Sequence, residues 1–322
     1  MEFPGFLGNE QLKQSLSQAL RQGRTAHFYL LSGPSGSGKR TLARLLAAAL
    51  LCRDPNRQPC GSCPQCRKAL AWQHPDLITV DDTEHKTVPV DVVRRARDDL
   101  FIRPNEGKYK IYYVPRAQDL GLPGQNALLK VLEEPPVYGV FLLLTDNPDK
   151  LLPTVRSRCR ELRMQPLMPE QLRQALRQAF PDASPEALDA AVSRSGGWLG
   201  QAKALLESGG QLLPQSESFA SAYAAGNTLE LARVLIPMEK LKRDGCIPIL
   251  TQWRQLLLEA LASRSGLAAV TPQARALAAA RTSGTLNSDI SALTAALEAL
   301  QGNASPGAVC GHLLWTLSSH FI

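Results

Sequence analysis

The 322-residue sequence has no apolar stretch of the roughly 20 residues that a membrane-spanning helix needs. The first residues, MEFPGFLGNEQ, also lack the basic region and following apolar core that direct a chain to secretion. These two absences predict a protein of the cytoplasm with no membrane partner. Disulfides do not persist in that reducing compartment, so another role is expected for the seven cysteines.

Acidic side chains are fewer than basic ones, 29 against 36, which gives a net charge of +7. Residues 206–322 contain eight side chains of each sign, so the whole excess lies in residues 1–205. An uneven basic excess of this kind is typical of a chain with an anionic partner, such as a nucleotide, a nucleic acid or an acidic protein. A basic surface that is merely solvated explains the same charge.

The order of apolar segments predicts three domains. Segments with strand character at 27–33, 76–81, 108–115 and 138–146 alternate with helical patterns, which indicates a parallel sheet with helices on both faces over residues 1–165. Three short amphipathic helices predict a small helical domain over 166–208. Ala/Leu-rich helices without strand signals predict an all-α domain over 209–322.

The segment GPSGSGKRTLA, residues 33–43, is nearly a phosphate-binding loop between a strand and a helix. Gly33, Gly38 and Lys39 match the pattern and could hold phosphate oxygens. The next position should provide a hydroxyl ligand for Mg²⁺, and Arg40 cannot ligate a cation because guanidinium has only donors. Thr41 is rotated by about 100° around the helix, so its hydroxyl points elsewhere.

The second expected Mg²⁺ ligand is missing as well. A carboxylate should follow the third strand, where the sequence has Val114, Pro115 and Arg116. Two missing ligands predict that the Mg²⁺ site is absent, together with Mg²⁺-dependent hydrolysis. Binding of a nucleotide or phosphate without Mg²⁺ stays open, and so does a loop that is kept only as a tight turn.

Four cysteines fall within fifteen residues, Cys52, Cys60, Cys63 and Cys66. Their spacing, C-x7-C-x2-C-x2-C, can surround a tetrahedral ion, and four thiolates suit a structural Zn²⁺ with no open position. An iron–sulfur run would need a further Cys three residues downstream followed by Pro, but residues 67–70 are RKAL. Four free thiols are the remaining alternative.

The segment LLPTVRSRC, residues 151–159, follows the fourth predicted strand and contains Arg158 between Ser157 and Cys159. An arginine at the edge of a sheet is often solvated or paired with a local carboxylate. An alternative is that this chain, which lacks metal ligands of its own, donates Arg158 to the nucleotide site of a neighbouring subunit.

Together these motifs resemble the bacterial DNA polymerase III clamp-loader subunits of the AAA+ class. The similarity covers nearly the whole chain and is strongest in HFYLLSGPSGSGK, in the zinc module at 52–66, in NALLKVLEEPP and in LLPTVRSRCREL. The resemblance implies an AAA+ domain with an inserted zinc module, then a lid domain and a helical collar. It also implies a second sensor arginine within GGWLGQA, where Gly200 stands instead.

Within that family the chain resembles a non-hydrolysing subunit that retains an arginine finger. The resemblance implies that Arg158, supported by Ser157 and Cys159, enters the ATP site of an adjacent gamma/tau subunit. It implies a hetero-pentamer with gamma/tau and delta subunits, which acts on the sliding clamp and primed DNA. It also implies that this subunit is a comparatively rigid one.

Two other functions are compatible with parts of the sequence. The chain could be a divergent gamma/tau-like subunit that hydrolyses ATP itself. It could also be a stand-alone zinc protein that binds DNA, although the cysteine segment has few basic residues and no aromatic side chain to stack on a base.

Overall fold

A computed structural model describes residues 3–85, 87–207, 212–266, 271–302 and 304–321. The chain forms two compact units. The first unit comprises Met1–Ala179 and Ser195–Lys203, and the second comprises Phe180–Arg194 and Ala204–Ile322. Residues of the predicted lid domain therefore occur in both units. The expected boundary at 208–209 lies outside the described residues, and the three-domain division stays a prediction.

The first unit is built on a five-stranded parallel sheet with the order β2-β3-β4-β1-β5. The strands are β1 Phe28–Ser32, β2 Leu77–Thr79, β3 Lys110–Val114, β4 Gly139–Thr145 and β5 Arg160–Arg163. The first four confirm the strands predicted from apolar runs. The fifth was not predicted, because its sequence RELR is charged and it lies at an edge, paired with β1.

Helices cover both faces of this sheet, as the alternating sequence predicted. They are α1 Glu10–Arg21, α2 Lys39–Leu51, α3 Pro64–Leu70, α4 Val90–Asp99, α5 Leu122–Glu133 and α6 Pro153–Arg156, and α7 Pro169–Ala179 follows β5 in the same unit. Alternate strand residues point to opposite faces. Tyr29 and Leu31 of β1 accordingly enter one apolar core, and Phe28 and Leu30 enter the other. The expected α/β AAA+-type fold is confirmed.

The second unit is helical throughout its described residues. It contains α8 Pro185–Arg194, α10 Pro214–Ala225, α11 Thr228–Met238, α12 Arg243–Arg264, α13 Pro272–Ala280, α14 Ser283–Gln301 and α15 Pro306–Ser318. Helix α9, Leu199–Glu207, contributes residues to both units. Trp253 is fully buried in the core of the second unit and stacks on Phe219 with ring centroids 4.1 Å apart. In the described part of the chain, none of the helices has the length and apolarity to cross a membrane.

Candidate functional site

The phosphate-loop segment lies between β1 and α2, as the motif requires. Gly36 and Gly38 adopt φ values of +78° and +91°, a left-handed conformation that favours glycine. Gly38 is the residue before α2, so the backbone turns sharply and the helix begins at Lys39. A cavity of about 510 Å³ opens beside this loop within the first unit. Of the predicted residues, Gly38 and Lys39 line this cavity, and Gly33 contacts Lys39 through its carbonyl oxygen.

The Lys39 ammonium group is engaged by oxygen atoms of the protein. It lies 2.6 Å from the Asp146 carboxylate and donates to the carbonyl oxygens of Gly33 and Pro34 at 2.7 and 2.9 Å. The Lys39 side chain is only 10% exposed. Asp146 follows β4 directly. Its pairing with Lys39 was not predicted from the sequence, because it depends on the fold bringing the end of β4 next to the phosphate loop.

Arg40 lines the cavity, and its side chain contacts an aromatic ring. Its guanidinium carbon lies 5.8 Å from the centre of the Trp72 ring, a cation–π contact. The Trp72 ring packs in turn on Tyr113 of β3, with centroids 4.2 Å apart. Trp72 has a φ of +57°, unusual for a bulky residue, and its amide closes the end of α3 by bonding to Ala69.

Arg116, after β3, is also bound within the protein. It donates to Asp81 Oδ1 from Nε at 3.1 Å and from Nη2 at 2.7 Å, and it bonds to the carbonyl oxygen of Asp82. The hydrogen bonds that Arg116 donates to Asp81 raise the pKa of the Arg116 guanidinium. Both positions where a Mg²⁺ ligand was expected are thus occupied by arginines with other partners.

The start of α9 lies directly on the phosphate loop. The Gly200 amide donates to the Gly36 carbonyl oxygen at 2.9 Å, and Gln201 Nε2 donates to the Ser35 carbonyl oxygen at the same distance. Lys203, one turn further along α9, lines the cavity. Gly200 therefore stands beside the loop, where the resemblance implied a sensor arginine.

The four predicted metal ligands converge. One ligand atom from each of Cys52, Cys60, Cys63 and Cys66 lies within 4.8 Å of all the others. Cys52 follows the last residue of α2, and Cys63 precedes the first residue of α3. The sulfurs of Cys60 and Cys66 are 3.9 Å apart, close to the roughly 3.8 Å edge of a tetrahedron with Zn–S bonds of about 2.3 Å. These four residues could therefore hold a structural Zn²⁺.

Backbone amides donate hydrogen bonds to sulfurs of the cluster, which favours the thiolate forms that bind a cation. The amide of Cys63 donates to the Cys60 sulfur at 3.3 Å, and the amide of Cys66 donates to the Cys63 sulfur at 3.4 Å. The hydrogen bond from the Cys63 amide, with further bonds from Ser62, lowers the pKa of Cys60 to about 6. Burial raises the pKa of Cys66, so its thiol would need a cation to lose its proton readily.

A buried polar network joins the cysteine module to the sheet. His74 Nε2 lies 2.7 Å from Gln65 Oε1 of α3, and His74 Nδ1 accepts from the Asp76 amide at 3.0 Å. This pattern assigns the proton to Nε2, and burial lowers the pKa of His74. The Asp76 carboxylate accepts from the backbone amides of residues 105–107 at 2.5–2.8 Å. The module is thereby fixed to the start of β2.

Arg158 lies on the surface just after α6. Its side chain is 40% exposed, and its Nη1 donates to the Thr154 carbonyl oxygen at 3.0 Å. Its Nη2 lies 3.2 Å from the Glu133 carboxylate, whose side chain is 58% exposed. An ion pair so open to water is weak, so Arg158 can leave Glu133 at small cost.

The neighbours of Arg158 have structural contacts. Ser157 Oγ donates to the Thr154 carbonyl oxygen at 3.3 Å, and Cys159 Sγ lies 3.2 Å from the Val155 carbonyl oxygen. Burial raises the pKa of Cys159 to about 12, so this thiol stays protonated near neutral pH and is a poor nucleophile.

Gln125 of α5 fixes the segment that leads into α6. Its side chain is buried, and its Nε2 donates to the carbonyl oxygens of Leu120 and Lys150 at 2.9 and 3.1 Å. Its Oε1 accepts from the Leu152 amide at 2.7 Å. Gln125 was not singled out from the sequence, since a glutamine in an amphipathic helix carries no sign of its tertiary partners.

The three groups of predicted residues stay separate. Helix α2 connects two of them, since Lys39 is its first residue and Cys52 follows its last. Thirteen helical residues span about 20 Å at 1.5 Å per residue, so the cysteine cluster is remote from the phosphate loop. The segment with Arg158 lies on a different loop and does not line the cavity.

Comparisons with known proteins identify the family to which the first half of the chain is similar. Residues 8–168, half of the chain, match the model of the family described as "DNA polymerase III, delta subunit". The chain is 39% identical over 175 residues to DNA polymerase III subunit gamma/tau of Mycobacterium tuberculosis, a match that covers 53% of this chain and 30% of that protein. It is 38% identical over 172 residues to subunit tau of Escherichia coli, with 53% and 26% covered.

The chain thus spans less than a third of the length of these curated relatives. Among solved structures, it is similar to a DNA polymerase III gamma subunit-related protein of Thermotoga maritima, with 15% identity, a TM-score of 0.46, and 95% of this chain and 99% of that chain covered. The match to the family model covers the whole segment from the start of α1 through β5, including the phosphate loop, the cysteine cluster and Arg158. The protein belongs to the DNA polymerase III, delta subunit family.

Proposed function

We propose that this chain is the delta-prime subunit of the DNA polymerase III clamp loader. In this role it does not hydrolyse ATP, and it helps to load the sliding clamp onto primed DNA during replication. Its partners are gamma/tau and delta subunits in a cytoplasmic hetero-pentamer. Its family, and the similarity to proteins named gamma/tau, support membership of that complex.

The observation that carries the proposal is the pair of arginines at the expected metal positions. Arg40 lies on Trp72, and Arg116 is bound to Asp81. A hydrolysing cleft of this class needs a hydroxyl and a carboxylate there, because these groups hold the Mg²⁺ that neutralises phosphate charge. A guanidinium group has no lone pair with which to ligate a cation, so both Mg²⁺ ligands are missing here.

The catalytic contribution of the chain is then made by Arg158 in a neighbouring subunit. A guanidinium supplied from outside can stabilise the charge that develops on a transferring phosphoryl group. Arg158 is exposed and held by two weak contacts, so it is available to a partner. Ser157 and Cys159 support the turn that presents it through bonds to carbonyl oxygens of α6.

Zinc bound to the four cysteines would have a structural role. A closed set of four thiolates leaves no position for water or substrate. Its contribution is to hold the segment between α2 and α3 in a fixed form, since the rest of the module is bound to the sheet through Gln65 and His74.

A second candidate function is supported by the comparisons. The identity of 39% to a gamma/tau protein favours a gamma/tau-like subunit with ATPase activity of its own. The isolated chain discriminates between the two. With ATP and Mg²⁺, the first proposal expects no turnover, whereas turnover that Lys39→Ala abolishes would establish the second.

The trans role of Arg158 is tested in the reassembled complex. The chain is mixed with gamma/tau and delta subunits, complex formation is followed by native mass measurement, and ATP hydrolysis stimulated by clamp and DNA is assayed. An arginine finger contributes on the order of 10³–10⁵ in rate at one site. Arg158→Ala should therefore silence one site, with a smaller loss in the total rate because other sites remain.

Arg156→Ala is the matched control, because Arg156 is a neighbouring arginine that also pairs with a largely exposed carboxylate, that of Asp149. It should leave hydrolysis near the wild-type rate. Unchanged hydrolysis and clamp loading with Arg158→Ala would refute the trans role, and failure to form a complex would refute the proposal as a whole.

A further inference from the structure

The Lys39 ammonium group has three hydrogens, and three oxygen atoms lie within 2.9 Å of it. Two are carbonyl oxygens of the loop, and the third is Asp146 Oδ1. In a phosphate-binding loop the lysine makes its outward contact with a phosphate oxygen. Here that contact goes to a carboxylate of the same chain.

Asp146 is well placed for this role. It follows β4 directly, its side chain is 49% exposed, and it lines the same cavity as the loop. Its neighbour Asn147 donates its amide to Thr145 Oγ1 at 3.1 Å, which holds the backbone on either side of Asp146. A phosphate that entered the loop would have to displace the carboxylate from Lys39 and then remain close to its negative charge.

We infer that Asp146 is a resident anion that takes the place of a phosphate on Lys39, and that it determines the rejection of phosphate ligands by this cleft. The inference rests on the proposed function, in which the cleft does not hydrolyse ATP, and adds the residue that keeps the cleft closed to phosphate. This effect is separate from the loss of Mg²⁺ ligands, because the Asp146 carboxylate competes with the phosphate for Lys39 whether or not Mg²⁺ is present.

The rest of the cleft remains suited to an anion. The loop leads into the N-terminus of α2, where the helix dipole favours negative charge. Lys203 also lines the cavity. Once the charge at position 146 is removed, the nearly buried Lys39 ammonium lacks a counter-ion, and a polyphosphate from solution can provide it.

The test is the affinity of the Asp146→Asn variant for inorganic pyrophosphate, measured by isothermal titration calorimetry with the full chain. The buffer contains neither Mg²⁺ nor a chelator, because a chelator would remove metal from the cysteine cluster. Asp146→Asn should bind pyrophosphate at least tenfold more tightly than the wild-type chain. Addition of Lys39→Ala to this variant should return the affinity to the wild-type value.

Asp149→Asn is the matched control, since Asp149 lies three residues away and pairs with Arg156 outside the cleft. It should bind as the wild-type chain does. Asp146→Thr provides a second neutral variant if circular dichroism shows that Asp146→Asn does not fold.

Equal affinities of the wild-type chain and the neutral variants would overturn the inference, and so would tighter binding that survives Lys39→Ala. Neither result concerns catalysis. Turnover of ATP by the isolated wild-type chain would instead contradict the proposed function, so the two failures are distinguishable.

Discussion

The backbones of Gly200 and Gly36 are in direct contact, with a hydrogen bond of 2.9 Å from the Gly200 amide to the Gly36 carbonyl oxygen. A Cβ atom built on Gly200 would lie 2.6 Å from the Gly36 Cα, far inside van der Waals distance. The first turn of α9 and the phosphate loop therefore meet with no side chain between them. This contact requires glycine at position 200, where the family resemblance implied an arginine.

Gly200→Ala should separate α9 from the phosphate loop. Inserting a methyl group into a tight contact costs about 1–3 kcal/mol, so the local opening that permits amide exchange should become on the order of tenfold more frequent. Hydrogen exchange at residues 33–39 and 199–203 measures this effect. Gly311→Ala, on an exposed part of α15 with nothing within 4 Å of the new Cβ, is the control and should leave both segments unchanged. Equal exchange in the two variants would show that the glycine contact does not hold α9 in place.

The cysteine cluster should contain one zinc ion per chain in purified protein. Replacement of a ligand, as in Cys63→Ser, should remove most of the metal, because three thiolates hold Zn²⁺ less tightly than four. Metal content is measured by inductively coupled plasma mass spectrometry, and the four-thiolate site is checked by the visible spectrum of the cobalt form. Cys246→Ala, in the core of the second unit, should retain the full zinc content. A metal-free wild-type chain purified without chelator would contradict the zinc assignment.

Asp76 should make the protein sensitive to acid. Burial tends to raise the pKa of Asp76, but the amides of residues 105–107 and the Asn105 side chain outweigh it, and the pKa is lowered. A lowered native pKa stabilises the fold above the unfolded value of about 3.9, and this contribution is lost as the pH falls through the native pKa. Asp76→Asn should lower stability by about 3 kcal/mol at pH 7 and remove this loss in acid.

Urea-unfolding curves between pH 2 and pH 7 measure both effects. Asp98→Asn is the control, because Asp98 is largely exposed and its ion pair with Arg97 should contribute within about 1 kcal/mol. If Asp76→Asn lost stability in acid as steeply as the wild-type chain, the Asp76 carboxylate would have no part in the pH response.

The sequence contained the main elements of the fold because they depend on local patterns. The run FLLLT of β4 is apolar at nearly every position, as a strand buried on both faces must be. The strand β5 was not predicted, because its charged side chains form hydrogen bonds with residues that are distant in the sequence. Arg160 bonds to Ser15, and Glu161 accepts from Ser32. Helix α12 continues through Pro248, although a proline inside a helix usually interrupts it.

In the candidate site too, some residues could be predicted from local sequence patterns and others depend on tertiary contacts. The cysteines could be found from their spacing alone, and Arg40 and Arg116 from departures at known positions of a motif. The ion pair of Asp146 with Lys39 could not be predicted, because it forms only when the fold places the end of β4 beside the phosphate loop. The role of Gln125 also depends on backbone groups of two loops that the sequence does not bring together.

The contact between Arg40 and Trp72 has a consequence for the evolution of this cleft. A hydroxyl residue at position 40 would forfeit that contact, and a carboxylate at position 116 would forfeit the bonds to Asp81. Neither change alone creates a metal site, since both ligands are needed together. Each substitution by itself would therefore lose contacts without completing a metal site, so both changes would have to occur together to bring Mg²⁺ ligands to this cleft.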